Sequence, residues 1–525
     1  MVFSKRFLTM ALAAPLALSA CGGDGGTFDL NLLHEDCTGQ IDFLPPSAEL
    51  TIRVSGDGMS DVVQRASASA GSVELPEVPF GQNRVVSVDV NAGGKLVARG
   101  RSAPFEVSDG DTPNVTVVVQ GVNRFTGAAD TENGCVEMTT QRAGHTAVLM
   151  KDKRVLLVGG FKRLEPNGAG SGYLATAEAF DPSVGSFVPM AAPCDGEVCY
   201  DVGMGAGVAL PDGRVLVAGG ERSADGVVVT AADTAMLFDP ATNKWTAKKM
   251  LSARRGHTMH LMGDKVLVVG GLDETNKVLT TTEIFDPATG EFSEGESIPA
   301  FSAGGGEQID AAGRAFHAGT AVNDTTVMIA GGIDENGKPA RSILYFNVTK
   351  AGKIQRIATP EKGLLSTPVL LGSAGTVNGN FVLVGGTTDY SVASGRYLAT
   401  GATRFAQWTE PSTSADVPRR VEMKDPRVAP CTVQIDANRL LVAGGLSPQN
   451  SPTNMAEVFS WNTSKREIER NFIGDSEQRS SMALKRAFPT CTNLGDGRIL
   501  VTGGADDSNN KSASPSAEIF VIRPL

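Results

Sequence analysis

The apolar and polar positions of the chain follow two patterns. Over residues 29–125 short runs alternate: ELTIRVSG (49–56), SVELPEV (72–78), RVVSVDV (84–90), KLVARGR (95–101) and NVTVVVQ (114–120). Alternation with period two puts one face of a strand on a core and the other in water. Asn91–Gly94 lies between two of these runs as a hairpin turn. This stretch predicts a small antiparallel β-sandwich.

Beyond residue 135 the pattern changes. Four apolar positions run into a glycine pair, and the unit recurs: RVLLVGG (154–160), RVLVAGG (214–220), KVLVVGG (265–271), TVMIAGG (326–332), NFVLVGG (380–386), RLLVAGG (439–445) and RILVTGG (498–504). An unbroken apolar run of this length predicts a strand buried on both faces. The glycines admit positive φ and close backbone approach.

The third unit shows the layout. GHTMHLM (256–262) is an inner strand a and KVLVVGG is strand b. TTTEIFDPATG (280–290) supplies strand c and a turn, and EFSEGE (291–296) is an outer strand d. Four-stranded units repeating roughly every 50 to 60 residues predict an all-β, seven-bladed propeller over 135–525. The last unit stops after strand c, at AEIFVIRPL (517–525). CVEMTTQRAGHT (135–146) reads like the passage KWTAKKMLSARRGHT (244–258). Cys135–Met138 is therefore predicted to supply the missing outer strand and close the ring without a free edge.

Downstream of each glycine pair an aromatic residue recurs: Phe180, Phe238, Phe285, Phe346, Phe459 and Phe520, with Tyr397 taking the place in the fifth unit. Phe187, Trp245 and Phe292 follow in the first three units. A double glycine with these aromatics resembles the kelch repeat. That resemblance implies a propeller that recognises a protein or a polysaccharide, without a cofactor.

The N-terminus carries a different signal. Lys5 and Arg6 precede an apolar run, Phe7–Leu18, too short to span a bilayer comfortably. It ends in Leu18-Ser19-Ala20-Cys21 and is followed by Gly22 and Gly23. This resembles the lipobox of bacterial lipoproteins. The resemblance implies a signal peptide over 1–20, a diacylglycerol on Cys21 and a flexible tether over 21–28. It implies a place in the cell envelope, on the outer membrane. The acyl chains would anchor the protein at about 0.8 kcal/mol per buried CH₂.

Composition narrows the rest. Hydrophobic content of 41% and charged content of 20% are those of a globular chain. A net charge of −11 without a basic stripe excludes a nucleic-acid binder. With Cys21 lipidated, six cysteines remain for an oxidising compartment. Cys194 and Cys199 bracket a short loop and are expected to pair. Cys37 and Cys135 flank the first domain and could also pair. Cys431 and Cys491 begin equivalent strands, but lie 13 and 12 residues before their glycine pairs. That offset leaves their pairing open. None of the cysteines has zinc-site spacing.

Blade topology sorts the candidate chemistry. The a–b turns are short, whereas the long connections are mostly d–a (191–203, 297–314, 410–427 and 471–486), with one long b–c loop at 161–173. The d–a and b–c loops share a face, and binding residues concentrate in long loops held on rigid scaffolds. Before strand a an arginine recurs: Arg142, Arg254, Arg314, Arg427 and Arg486. After strand b an acid recurs: Glu221, Asp273, Asp334, Asp389 and Asp506. They could form a polar ring for an anionic or sugar ligand. The favoured reading is ion pairs that tie neighbouring loops together.

His145, His257 and His317 occupy one repeat position, and repetition explains them without a metal. Asp506-Asp507-Ser508-Asn509 offers hard oxygens but not a full calcium loop. The domain order also resembles that of galactose oxidase, whose copper site needs two histidines, two tyrosines and a tyrosine–cysteine cross-link. The five tyrosines here (Tyr173, Tyr200, Tyr345, Tyr390 and Tyr397) form no Tyr-His pair, and Cys199 beside Tyr200 has a nearer partner in Cys194. A divergent oxidase or carbohydrate-active enzyme is the alternative to a binding protein.

Overall fold

The structure is a computed structural model. It describes residues 7–9, 25–33, 45–70, 75–130, 134–165, 170–223, 229–302, 306, 308–357, 364–391, 396–411, 418–471, 473, 481–506 and 512–522. Every regular element among them is a β-strand.

The N-terminal domain is built on one continuous sheet. Its order is Phe7–Thr9, Asp29–Leu33, Asn114–Gly121, Lys95–Arg101, Gly81–Ala92, Glu49–Ser55, Val62–Ser67. The alternating runs point Leu50, Ile52, Val54, Val86, Val88, Val90, Val115, Val117 and Val119 into one apolar core. One expectation needs correction. Asp29–Leu33 pairs in parallel with Asn114–Val118, so the sheet is not purely antiparallel. The main described strands of the domain are joined edge to edge rather than as two unconnected sheets. Gly81–Ala92 is long enough to pair with Phe105–Val107 near its start and with Lys95–Arg101 beyond, so one sheet turns around the core. Of SVELPEV only residues 75–78 are described, and there Val78–Pro79 forms a short strand on Gly25–Gly26; prolines at 76 and 79 remove ladder donors.

The ring has seven blades. In the first, strands a to d are Thr146–Leu149, Val155–Val158, Ala177–Asp181 and Ser186–Pro189. In the third they are Thr258–Met262, Lys265–Val269, Thr282–Asp286 and Glu291–Glu294. The b strands are buried along their length, and their side chains interleave with the next blade's: Leu156 and Val158 share a core with Val215, Val217 and Phe238. Aromatic pairs Phe180–Phe187, Phe238–Trp245 and Phe285–Phe292 stack within blades at 5.1, 4.6 and 4.9 Å.

The fifth blade departs from expectation. Its third strand is Phe405–Thr409, and Tyr397 stands instead in a hairpin, Thr387–Ser391 with Arg396–Ala402. Trp408 packs toward the sixth blade, while Phe381 of strand b faces the fourth and fills the place of the usual phenylalanine.

The ring closes on a different strand from the one expected. Phe125–Gly127 pairs with Glu518–Phe520 as the outer strand of the seventh blade. Residues 135–138 add one bridge, Glu137 to Ser516, and a hydrogen bond from Met138 N to Pro515 O. The closing strand follows Asn114–Gly121 after three residues, and Val122 N donates to Val97 O. The first domain therefore runs directly into the last blade.

Cys194 and Cys199 are bonded, and so are Cys431 and Cys491, which tie the inner strands of the sixth and seventh blades. Cys135 is disulfide-bonded as well. Cys37 and Cys21 lie outside the described residues, as does most of the expected leader. Of that leader Phe7–Thr9 is described, paired with Asn31–Leu33 at the sheet edge.

Candidate functional site

The five recurrent arginines are buried to 1% exposure or less. Each meets an acid, but not the acid the spacing suggested. Arg142 pairs with Glu178 at 2.8 Å, Arg254 with Glu283 at 2.8 Å, Arg427 with Glu457 at 2.6 Å and Arg486 with Glu518 at 2.8 Å. These glutamates lie on strand c, two residues before the recurrent phenylalanine. Arg314 uses Asp310, four residues earlier in its own loop. Burial pushes the guanidinium pKa of Arg142, Arg254, Arg314 and Arg427 down, and the facing acids oppose that shift.

The acids do more than neutralise. Glu178 also accepts the N–H and hydroxyl of Thr139, and Glu283 accepts the N–H groups of Leu251 and Ser252. Each pair thus fixes the loop entering its blade. The arginines of the first, third and seventh blades also donate from Nη1 to the first glycine's carbonyl: Gly159, Gly270 and Gly503. The two blades without the arginine substitute neutral groups. Tyr200, fully buried, donates its hydroxyl to Gly219 O, and Gln407 exchanges hydrogen bonds with Ser366 and Thr367.

The glycine pair links blades. The second glycine's N–H reaches the carbonyl at the arginine position of the next blade: Gly160 to Val202, Gly220 to Arg254, Gly271 to Arg314, Gly332 to Val369, Gly386 to Arg427, Gly445 to Arg486 and Gly504 to Arg142. A Cβ on the first glycine would lie under 3.0 Å from that same carbonyl in every blade. Close approach, as well as positive φ, accounts for the motif.

Of the five acids after strand b, Asp273 and Asp334 cap their own turns, through the N–H groups of Thr275 and Lys277 and of Asn336 and Lys338. Asp389 is exposed on the hairpin of the fifth blade. In the seventh blade Asp506 N donates to Ser512 O. Residues 507–509 lie outside the described residues. The recurrent arginines therefore take their ion-pair partners from strand c or, for Arg314, from Asp310, while Asp273 and Asp334 cap turns.

The histidines sit at blade boundaries. His145 Nε2 meets the hydroxyls of Thr490 and Thr502, and His317 Nε2 meets Thr258 Oγ1. Burial holds His257 at about 3 and His260 at about 4, and pushes His145 and His317 well below the usual value. Among the described residues no three His, Cys, Asp or Glu side chains come together as metal ligands.

Above this layer lies a collar that sequence reasoning missed. The residue two positions after the arginine site is left-handed in every blade: Gly144, Met204, Gly256, Phe316, Leu371, Ala429 and Phe488, with φ between 48° and 65°. Several are linked from blade to blade: Met204 N to Gly144 O, Phe316 N to Gly256 O, Leu371 N to Phe316 O, Ala429 N to Leu371 O, and Gly144 N to Phe488 O. Five of the seven are not glycine, although positive φ is costly for bulky residues. The large side chains fill the space over the small ones. A Cβ on Gly256 would meet the Phe316 ring, and one on Gly144 the Met204 sulfur. The collar is thus an apolar rim on the face that carries the d–a and b–c loops.

One place in this rim is charged. Bridges join the residue after each arginine site to the residue after each glycine pair: Ala143 to Phe161, Gly203 to Glu221, Arg255 to Leu272, Ala315 to Ile333, Leu370 to Thr387, Val428 to Leu446, and Ala487 to Ala505. Only Glu221 and Arg255, from adjacent blades, carry charge. Arg255 Nη1 stands 3.9 Å from Glu221 Oε2, its Nη2 donates to Asn276 Oδ1 at 2.7 Å, and its guanidinium lies 5.5 Å over Phe316. Tyr173, on the hairpin of the first blade, donates to Glu221 Oε1 at 3.2 Å. Burial raises the Glu221 carboxyl, against the pull of the Arg255 charge, and raises the Tyr173 hydroxyl.

Comparison with known proteins agrees with the repeat pattern. Residues 253–299 match the kelch motif. Kelch-like protein 36 of Rattus norvegicus is 27% identical over 209 residues, covering 38% of this chain and 31% of that protein. Beta-scruin of Limulus polyphemus is 27% identical over 168 residues, 30% of this chain and 17% of that protein. Each match therefore spans less than a third of the relative's own length. Among solved structures, that of YjhT is 15% identical with a TM-score of 0.46, covering 64% of this chain and 99% of that one. The ring is a seven-bladed β-propeller, and its third blade carries the match to the kelch motif.

Proposed function

We propose that the protein is a lipid-anchored recognition module of the bacterial cell envelope, set on the outer membrane through Cys21. It binds a protein partner through the face formed by the d–a and b–c loops. The observation that carries this reading is the asymmetry of that face. The arginine braces fix each loop to its blade, and the repeat's apolar rim is broken there by one charged pair, Arg255 and Glu221. The chain has three tryptophans and 6% aromatic residues, few stacking platforms for sugars, so a protein is favoured over a polysaccharide.

Photo-crosslinking residues placed at Arg222, on the loop face, and at Thr242, on the opposite face, test the reading in the native envelope. Discrete adducts from position 222 and none from 242 are expected. Adducts from 242 alone would contradict it. Cys21→Ser should release the protein from the membrane fraction, and its retention there would overturn the anchor.

A further inference from the structure

The charged pair in the rim is not explained by the fold. Six blades place small or apolar residues where the third has Arg255, and none of the other six has a charged residue where the second has Glu221. Arg255 is 7% exposed, yet among the described residues its Nε has no hydrogen-bond partner and its Nη1 comes no closer to Glu221 than 3.9 Å. This contrasts with the adjacent Arg254, whose nitrogens are all bonded to Glu283, Gly270 and Thr281. A buried guanidinium with an idle donor and a loosely met charge is costly unless something supplies an acceptor. Positions that break a repeat's local rule without gain in stability are where function is expected.

The inventory of the notch fixes the chemistry of what completes it. Glu221 already accepts a hydrogen bond from Tyr173 and Asn276 accepts one from Arg255, so the unmet need is for an acceptor on Arg255. A carboxylate meets that need with two oxygens and one charge. Beside the notch the rim is apolar, with Phe316 under the guanidinium and Met204 and Leu371 half-buried. From this juxtaposition we propose that the notch of Arg255, Glu221, Tyr173 and Asn276 binds a carboxylate of the partner protein, with a neighbouring apolar side chain seated on the rim. The proposal rests on the reading of this face as a protein-recognition surface. Glu221 competes for Arg255 in the empty site and so sets the strength of binding.

The test uses the full chain and random-peptide arrays tethered through either end. One set leaves the C-terminal carboxylate free, and the other leaves side-chain carboxylates only. Peptides bearing a carboxylate beside an apolar residue should be selected, and the two arrays tell a terminal from a side-chain source. Arg255→Met should weaken their binding at least about ten-fold. Glu221→Gln, which removes the competitor, should strengthen it several-fold, a change that a merely structural role would not produce. Selection of peptides without carboxylates, bound equally by Arg255→Met, would overturn the notch and leave protein recognition standing. Absence of any selected peptide would count against both.

Discussion

The carbonyl oxygen of Arg142, in the first blade, accepts the backbone N–H of Gly504, in the seventh, at 3.0 Å. The guanidinium of the same arginine is engaged within its own blade, by Glu178 and Gly159. One residue therefore holds its loop in place with its side chain and holds the neighbouring blade with its backbone. Repeated around the ring, this makes the loop face a fixed platform.

The ion pairs should be worth much more when broken on one side than when replaced as a unit. Glu283→Ala strands the buried Arg254 and two loop N–H groups. It should cost about 3–5 kcal/mol in urea unfolding. The double variant Arg254→Met/Glu283→Leu should recover part of that loss, because the two desolvated charges disappear together. A single-variant cost under about 1 kcal/mol would show that the pair does not brace the blade.

The glycine pair should tolerate no Cβ. Gly503 has φ 60° and Gly379 has φ 72°, but a Cβ at 503 meets the Arg142 carbonyl whereas one at 379 meets nothing within 4 Å. Gly379→Ala should cost about 1–2 kcal/mol from backbone conformation alone. Gly503→Ala should cost at least twice that and lower the thermal midpoint accordingly. Equal costs would mean that close approach between blades contributes nothing.

Acid should loosen the ring. The folded state holds His257 at about 3 and His260 at about 4, with His145 and His317 also shifted well down. In the unfolded chain a histidine takes its proton near 6.5, so below that pH the unfolded state binds more protons. Stability is then fully present above about pH 6.5 and falls on acidification, by up to about 1.4 kcal/mol per pH unit for each histidine. Unfolding at about pH 7.5 and about pH 5 measures the slope. His257→Gln should flatten it by one histidine's share, and a slope unaffected by that change would refute the assignment.

The disulfides should contribute unequally. Cys431–Cys491 closes 60 residues of chain and Cys194–Cys199 closes 5. Loop-closure entropy gives about 4 and about 2 kcal/mol respectively. Paired serine variants unfolded in urea should show that order, and the reverse order would rule out loop closure as the dominant effect.

Much of the ring was legible because propeller blades repeat. Seven apolar runs ending in glycine pairs specify seven buried inner strands, and the aromatics mark where strand c crosses them. The closing strand is not legible, because Phe125–Gly127 is only three residues long and carries no alternation to distinguish it from the linker. The partners of the arginines do not follow from which loop ends the topology brings together. The glutamates sit inside strand c, and the signal for them was present as Glu178-Ala-Phe180, Glu283-Ile-Phe285, Glu457-Val-Phe459 and Glu518-Ile-Phe520. The collar was not legible: nothing in the spelling of Phe316, Leu371 or Phe488 announces a left-handed backbone. Glu221 was singled out as one acid among five. Its distinction, a charge facing Arg255, needed the register between blades.

Arg254 and Arg255 are adjacent, yet the first braces the blade and the second is proposed to await a ligand. Equilibrium unfolding of Arg254→Met and Arg255→Met, measured side by side, tests this most directly. Arg254→Met should lose about 3–5 kcal/mol, because Glu283 is left buried without its partner. Arg255→Met should lose less than about 1 kcal/mol, since its contact with Glu221 is long and Glu221 keeps its bond to Tyr173. Equal losses in the two variants, or the larger loss in Arg255→Met, would contradict this division of labour between the two arginines.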